Sequence, residues 1–233
     1  MGDNQNSYSY LKSLVRERDM DRYLAILLGP RAQQPALMAL AALNVELAHV
    51  LEAAKEPGLS AIRFQWWRDC FEEAHGLSGN PVVDAVNEAA RQRHLPLAKI
   101  IDLIDGHEGL QNMQSGDDGD EIKLLAVDGP LFELMALVLG GTSGADLSAA
   151  SKAAALALAS AKFSSDDILL REKLAKSNLR ECSKYLKDLP PEILVAFLPV
   201  SLVDFYLKGD GESPSGQLRR IWTLWRAHRK QSL

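Results

Sequence analysis

The feature that most constrains the fold of this chain is a helical apolar pattern that runs from one end to the other. Apolar residues recur at spacings of three and four, and the pattern breaks where helix-stopping residues cluster, as at Gly29-Pro30. No alternating run of β-branched and aromatic residues is long enough for a strand. The pattern predicts helices over residues 7–28, 33–55, 59–76, 81–94, 96–112, 120–140, 146–162, 166–187, 190–208 and 215–230. Because no linker divides the chain, we expect a single all-α domain over residues 1–233.

Composition and charge limit the classes of function. Apolar residues make up 47% of the 233 residues and the net charge is −5, which suits a globular chain and offers no basic surface for nucleic acid. Two cysteines, Cys70 and Cys182, are too few for a metal cluster and fit a reducing compartment. The N-terminus lacks the order of a signal peptide, and no stretch approaches about 18 uncharged apolar residues. We expect a cytoplasmic protein whose contact with a membrane, the inner membrane included, is at most peripheral.

One predicted helix is apolar on nearly every side and yet carries polar groups. Its sequence, ALMALAALNVELAHVLEAAK, places Asn44, Ala48 and Glu52 on one stripe, with His49 beside it. Polar groups on a buried helix need partners, because an unsatisfied one costs about 1–3 kcal/mol. Two interpretations stay open: the polar groups pair with neighbouring helices, or their stripe lines a cavity. Asn44, His49 and Glu52 are therefore candidates for a ligand-binding site.

A second predicted helix, PLAKIIDLIDGHEGL, repeats the pattern. Asp105 flanks its apolar face and Glu108 falls within it. A carboxylate there is either paired or directed at a ligand, and the arginines of the earlier segment AIRFQWWRDCF, Arg63 and Arg68, are the candidate partners. Trp67 lies four residues after Arg63, and its ring either packs in the core or contacts a ligand. Arg63, Trp67, Asp105 and Glu108 complete the set of candidate cavity residues.

Four stretches, taken in order, resemble the squalene/phytoene synthase family. They are DRYLAILLGPRAQQPALMALAALNVELAHV, EPGLSAIRFQWWRDCFEEAHG, NPVVDAV and LPLAKIIDLIDGHEGL. The resemblance is to the branch that includes the mitochondrial complex I assembly factors and their alphaproteobacterial relatives. It implies the isoprenoid synthase fold, a helical bundle around a central cavity. For active members it also implies two aspartate-rich helices whose magnesium ions neutralise the diphosphate of a prenyl substrate as it leaves.

The chain departs from the acidic motifs that this resemblance implies. The first motif, two adjacent aspartates with another three residues on, falls on Ala48, His49 and Glu52. The arginine that usually precedes it falls on Val45, so Glu52 is the one position that could still bind magnesium. The second motif would lie on the helix after the Gly-Gly loop, which has no acidic residue within residues 148–165. We therefore expect no metal ligands, no catalytic residue and no cofactor.

Because magnesium requires several oxygen ligands, the resemblance favours a protein that has lost prenyl-diphosphate catalysis. Such a protein would be an assembly or lipid-binding factor. Its partner would be an isoprenoid or lipid in the cavity, or a protein in respiratory complex I assembly. The alternative is an active magnesium-dependent prenyl transferase of terpenoid biosynthesis that uses displaced ligands, for which the candidates are Glu46, Glu52, Asp105 and Glu108.

The C-terminal segment LRRIWTLWRAHR is locally basic and amphipathic. Two interpretations stay open for it. Either Ile221, Leu224 and Trp225 pack inward while the arginines are solvated, or the helix docks through surface residues that include Trp222 on a partner or on a membrane surface.

Overall fold

A computed structural model describes residues 2–53, 57–73, 78–111, 120–162, 168–209 and 214–233. Within these ranges every regular element is a helix, which confirms the predicted all-α class. The α-helices are α1 (Gly2–Arg18), α2 (Met20–Leu28), α3 (Gln34–Ala53), α4 (Pro57–Glu72), α5 (Pro81–Arg93), α6 (Leu97–Gln111), α7 (Asp120–Val138), α8 (Ala145–Lys162), α9 (Ile168–Leu186), α10 (Leu194–Phe197), α11 (Val203–Leu207) and α12 (Pro214–Lys230). The predicted helix ends at 54–55, 74–76, 112 and 166–167 lie outside the described residues.

The predicted helix over 7–28 is wrong in one respect, since it is two helices. The chain breaks at Asp19, whose backbone leaves the helical region and whose carboxylate accepts a 3.1 Å hydrogen bond from the Arg22 N–H. An aspartate at this N-cap satisfies a donor that the start of a helix leaves free. At the other end of α2, a Cβ on Gly29 would lie 2.9 Å from Cγ1 of Val195, so the close approach of α2 to α10 favours glycine.

The predicted helix over 190–208 is also wrong, because this segment consists of four short pieces. A 3₁₀ turn, Pro191–Ile193, precedes α10, and a second 3₁₀ segment, Leu198–Leu202, separates α10 from α11. Pro199 explains the interruption, since proline lacks an N–H and its ring would clash with the carbonyl of residue 195 in a continuous α-helix. The segment is nonetheless buried, and the ring of Phe197 stacks on Phe132 of α7 with centroids 5.3 Å apart.

The core centres on α3, where every residue from Leu37 to Leu43 is fully buried. α3 packs against α1, α5, α6 and α7, while α8 packs against α7 and α9. One buried apolar cluster extends along the chain from Leu11 to Ala227. By length and composition α3 could also cross a membrane, but 56% of the relevant window is buried within the protein. Its role at the centre of the bundle accounts for that composition.

Candidate functional site

A cleft of about 380 Å³ opens between α1 and α3. One wall is the polar stripe of α3, which brings together three of the residues predicted from the sequence: Asn44, His49 and Glu52. Ala48 lies within the same stripe. The other lining residues are Tyr10, Leu14, Arg18, Asp19, Val45 and Glu46. The stripe therefore lines an open space, and the two interpretations of it must be decided residue by residue.

Asn44 is the polar residue of the stripe that is buried, with 9% of its surface exposed. Its side-chain oxygen Oδ1 has no hydrogen-bond partner in the part of the chain that the structure describes. An unsatisfied buried amide oxygen costs about 1–3 kcal/mol. This oxygen is thus a group that a donor entering the cleft could satisfy.

The side chains around Glu52 in the cleft are exposed and lie close to one another. Nη1 of Arg18 lies 3.2 Å from Oε2 of Glu52, and Nδ1 of His49 lies 3.6 Å from the same oxygen. The Tyr10 hydroxyl donates a 3.1 Å hydrogen bond to Glu46. The side chains of Arg18, His49 and Glu52 are each more than half exposed. Ion pairs of this kind stabilise a protein by less than about 1 kcal/mol, so they hold Glu52 only weakly.

The second group of predicted residues meets where α4 packs on α6. Arg68 donates to Oδ1 of Asp105 from Nε at 2.8 Å and from Nη2 at 2.6 Å, and Nη2 also donates to Glu108. Burial lowers the pKa of Arg68, but the hydrogen bonds to Glu108 and Asp105 outweigh it and raise that pKa. Of the two arginines predicted as partners, Arg68 is therefore the one that pairs with both carboxylates.

Arg63 and Trp67 lie in opposite environments on α4. Arg63 is exposed, whereas Trp67 is buried in the hydrophobic core. The Trp67 ring stacks on Phe71 at 6.3 Å and meets the edge of Trp66 at 5.0 Å. Core packing accounts for Trp67, and neither residue lines the α1–α3 cleft.

Sequence reasoning missed a buried ion cluster at the start of α2. The Arg22 guanidinium donates to Asp19 at 2.7 Å and to Asp128 of α7 at 2.6 Å. Burial lowers the pKa of Arg22, but Asp128 and Asp19 more than compensate and raise it. Burial likewise raises the pKa of Asp19, but Arg22 and Lys162 outweigh it and hold that pKa below its usual range. The sequence offers one signal of this cluster: the charged segment DMDR begins an otherwise apolar stretch.

Asp21 extends this cluster towards the C-terminal helices. Its carboxylate accepts a hydrogen bond from the hydroxyl of Tyr206 on α11. It also lies 3.1 Å from Nε of Arg220 on α12 and 3.6 Å from Nζ of Lys162 at the end of α8. Burial, followed by the charge of Asp21, raises the pKa of Tyr206. These partners tie α2, α8, α11 and α12 together, which is a structural role.

The positions of the two acidic motifs do not fit magnesium. Ala48 offers no ligand atom, and the His49 and Glu52 side chains are exposed and already close to each other. On α8 the buried face is alanine-rich and carries the hydroxyls of Ser151 and Ser160 instead of carboxylates. Among the described residues, no group of three or more His, Cys, Asp or Glu side chains could hold a metal ion. Magnesium requires near-octahedral oxygen ligation, which these residues do not supply.

Comparison with proteins of known sequence gives two kinds of match. The family model described as squalene/phytoene synthase matches residues 15–166, which is more than half of the chain. The protein named NADH dehydrogenase (ubiquinone) complex I, assembly factor 6, from Rattus norvegicus is 32% identical over 105 residues, which are 44% of this chain and 32% of that protein. Its Homo sapiens counterpart is 30% identical over 101 residues, 42% of this chain and 30% of that protein. The match thus spans about a third of the length of these curated relatives.

Solved structures show the same fold over nearly the whole chain. A dehydrosqualene synthase crystallised with a ligand superposes with a TM-score of 0.77 at 13% identity, covering 98% of both chains. A squalene synthase from Alicyclobacillus acidocaldarius superposes with a TM-score of 0.68 at 14% identity, covering 99% of this chain and 96% of that one. The expected isoprenoid synthase fold is confirmed by these likenesses. The family model, which matches more than half of the chain, shows that the chain belongs to the squalene/phytoene synthase family.

Proposed function

We propose that this chain is a non-catalytic member of its family that assists the assembly of respiratory complex I. The observation that carries the proposal is the similarity, at 30–32% identity, to proteins named as complex I assembly factors. A fold shared with synthases is compatible with either role, because fold alone does not fix function.

The environments of the acidic residues support the loss of prenyl transfer. Four carboxylates are the candidates for displaced magnesium ligands, and each is already in contact with a protein group. Glu46 accepts from Tyr10 and Glu52 pairs with Arg18. Asp105 and Glu108 share Arg68. Metal binding would require these contacts to be replaced, and a single exposed carboxylate does not suffice for Mg²⁺.

The lining of the cleft favours a protein partner over an isoprenoid or lipid. Seven of its ten residues carry polar or charged side chains: Tyr10, Arg18, Asp19, Asn44, Glu46, His49 and Glu52. A prenyl chain in this cleft would lie beside these polar groups, whereas pockets for apolar ligands are lined mainly by apolar side chains. Exposed charges of both signs can instead pair with polar and charged groups on the surface of a protein partner.

The cellular setting that we propose is cytoplasmic, with peripheral contact at the inner membrane. Both cysteines are free, Cys182 in the core and Cys70 half-buried, as expected in a reducing compartment. Burial raises the pKa of Cys182 to about 12, so this thiol stays protonated and unreactive.

The test is deletion of the gene in its own organism, followed by measurement of complex I. We expect membranes of the deletion strain to lose NADH:quinone oxidoreductase activity and to accumulate assembly intermediates, while succinate dehydrogenase activity, the control, stays unchanged. Normal complex I in the deletion strain would rule out the assembly role.

Complementation separates assembly from catalysis. The wild-type gene and an Asp105→Asn/Glu108→Gln variant, altered outside the cleft, should restore complex I equally, because each amide keeps an oxygen that can accept from Arg68 and removes the charge that a metal needs. Rescue by the wild type alone would contradict the non-catalytic half of the proposal and would implicate the two carboxylates in chemistry.

A further inference from the structure

Helix α12 presents an apolar stripe to solvent. Leu218 is 71% exposed, Trp222 58% and Trp225 38%, and Ile221 is about half exposed. Their spacing of three and four residues places them on one side of the helix. Leu224 and Ala227 form the opposite, buried side. Of the residues expected to pack inward, Leu224 does so, whereas Ile221 and Trp225 do not.

The two tryptophans of this stripe pack against each other. The rings of Trp222 and Trp225 are stacked with centroids 5.0 Å apart, and the guanidinium of Arg229 lies 5.2 Å from the Trp225 centroid. Single exposed apolar residues are common on proteins, but four on one helix face form a patch of the kind that marks an interaction site.

The charge of α12 differs in sign from that of the rest of the chain. The helix contains four arginines, a lysine and no acidic residue, although the whole chain has a net charge of −5. Arg226, Arg229 and Lys230 are exposed close to the apolar stripe. Arg220 is the member directed inward, where it pairs with Asp21. A cationic rim beside an apolar stripe selects an anionic surface.

A second exposed apolar patch lies at the start of α9. Ile168, Leu169 and Leu170 at the start of α9 are each more than half exposed. The preceding helix α8 ends at Lys162, which contacts Asp21, the same carboxylate that Arg220 of α12 contacts. The end of α8 and α12 thus meet at one carboxylate, and α9 is a second element that exposes apolar side chains.

We propose that α12 lies on the surface of an anionic lipid bilayer, with its apolar stripe in the headgroup region and its cations on lipid phosphates. An amphipathic helix that carries tryptophan on one face and arginine beside it binds membrane interfaces in two ways, by burying apolar surface and by attracting anionic lipids. Tryptophan in particular prefers the boundary between headgroups and acyl chains. This surface is separate from the α1–α3 cleft, and the inference rests on the proposed peripheral membrane contact, for which it names the helix and the lipid class.

Self-association through α12 fits the charges less well. A symmetric dimer would place the same surface of two copies face to face. The cations of one α12 would then oppose those of the other, and like charges in contact repel. Anionic lipid has the complementary sign.

The test is co-sedimentation of the purified full chain with vesicles at physiological ionic strength. One set is phosphatidylcholine alone, and the other contains about one third phosphatidylglycerol, which supplies the anionic surface. We expect binding to the anionic vesicles and little to the neutral ones. Trp222→Ala/Trp225→Ala should weaken binding at least about tenfold, and Arg226→Glu/Lys230→Glu about thirtyfold or more, since each cation near the surface contributes about fivefold.

Matched controls change the same residue types away from α12. Trp66→Ala removes an exposed tryptophan of α4, and Arg91→Glu reverses an exposed arginine of α5. Neither should alter vesicle binding. Because all the altered side chains are exposed, circular dichroism should show every variant folded.

Three results would overturn the proposal. These are equal binding to both vesicle types, an equal loss from the control variants, and wild-type self-association through α12 without vesicle binding. Complex I plays no part in this experiment, so its outcome is independent of the assembly role.

Discussion

Arg18 and Arg22 lie four residues apart, on either side of Asp19, and each forms ion pairs, but their surroundings differ. The Arg18 side chain is 52% exposed and its partner Glu52 59%, whereas the Arg22 side chain is 6% exposed between two carboxylates. One arginine borders the cleft and the other joins α2 to α7. The same residue type therefore holds the fold together at one site and lines an adaptable surface at the other.

Replacing Arg22 by methionine should have the largest effect. It removes the guanidinium that Asp19 and Asp128 share, and removal of one partner from a buried ion pair costs about 3–5 kcal/mol. Urea unfolding should show a loss of free energy of unfolding of that size. The matched control, Arg18→Met, should cost less than about 1 kcal/mol because its pair is exposed. Similar small losses for both variants would contradict the contrast between the two arginines.

The helices were predictable, but the buried ion cluster was not. The nearly uniform apolar character of α3 indicates that this helix is central and buried, because that pattern is local in sequence. The partners Arg22 and Asp128 are 106 residues apart, so no local pattern connects them. The helix break at Asp19 was not predictable for a similar reason, because its role as an N-cap depends on packing as well as on residue type.

The candidate site was predicted in part for a similar reason. Helical spacing predicts that Asn44 and Glu52 share a stripe, and both line the cleft. Spacing does not show what lies opposite, and Tyr10 and Arg18 of α1 come from a segment that carries no recognisable motif. Whether these residues bind a partner stays a prediction.

An effect of intermediate size is expected from His107, which lies near the buried cluster and should make the free energy of unfolding depend on pH. Burial lowers its pKa below the usual value, while the carbonyl of Leu103, Asp128 and the backbone of Asn44 act in the opposite direction. The folded state thus binds fewer protons than the unfolded state. The contribution of neutral His107 to the free energy of unfolding is complete above the pKa of about 6.5 in the unfolded state. It is lost as the pH falls towards the lower pKa of the folded state.

Urea unfolding between about pH 5 and pH 7 measures this contribution, since carboxylates titrate at lower pH. The wild type should lose stability as pH falls across this window. His107→Gln, which cannot ionise, should show a flatter profile, whatever its stability at neutral pH. Parallel profiles for the two proteins would mean that His107 is not the group responsible.

A smaller effect is expected at Asn44 in the cleft. Asn44→Leu removes a buried oxygen that has no partner among the described residues, so the free energy of unfolding should change by less than about 1 kcal/mol or should rise. Asn44→Asp, of similar size, places a charge in the same buried position and should cost more. A loss of about 3 kcal/mol or more for Asn44→Leu would show that the oxygen does have a structural partner.

The smallest effect is the coupling between Arg18 and Glu52. A double-mutant cycle with Arg18→Ala and Glu52→Ala should give a coupling energy of about 0.5 kcal/mol that decreases in high salt, as for other exposed pairs. A coupling above about 2 kcal/mol, insensitive to salt, would mean that the cleft is as rigidly organised as the Arg22 cluster.

Pyrophosphate release decides whether prenyl transfer has been lost. Purified protein would be incubated with farnesyl or geranylgeranyl diphosphate and magnesium, and pyrophosphate would be quantified against a blank without protein. With the acidic motif positions occupied by Ala48, His49 and Glu52, and with α8 lacking acidic residues after Asp146, we predict no release above the blank. Magnesium-dependent release that a chelator abolishes and that Glu52→Gln reduces would contradict this account.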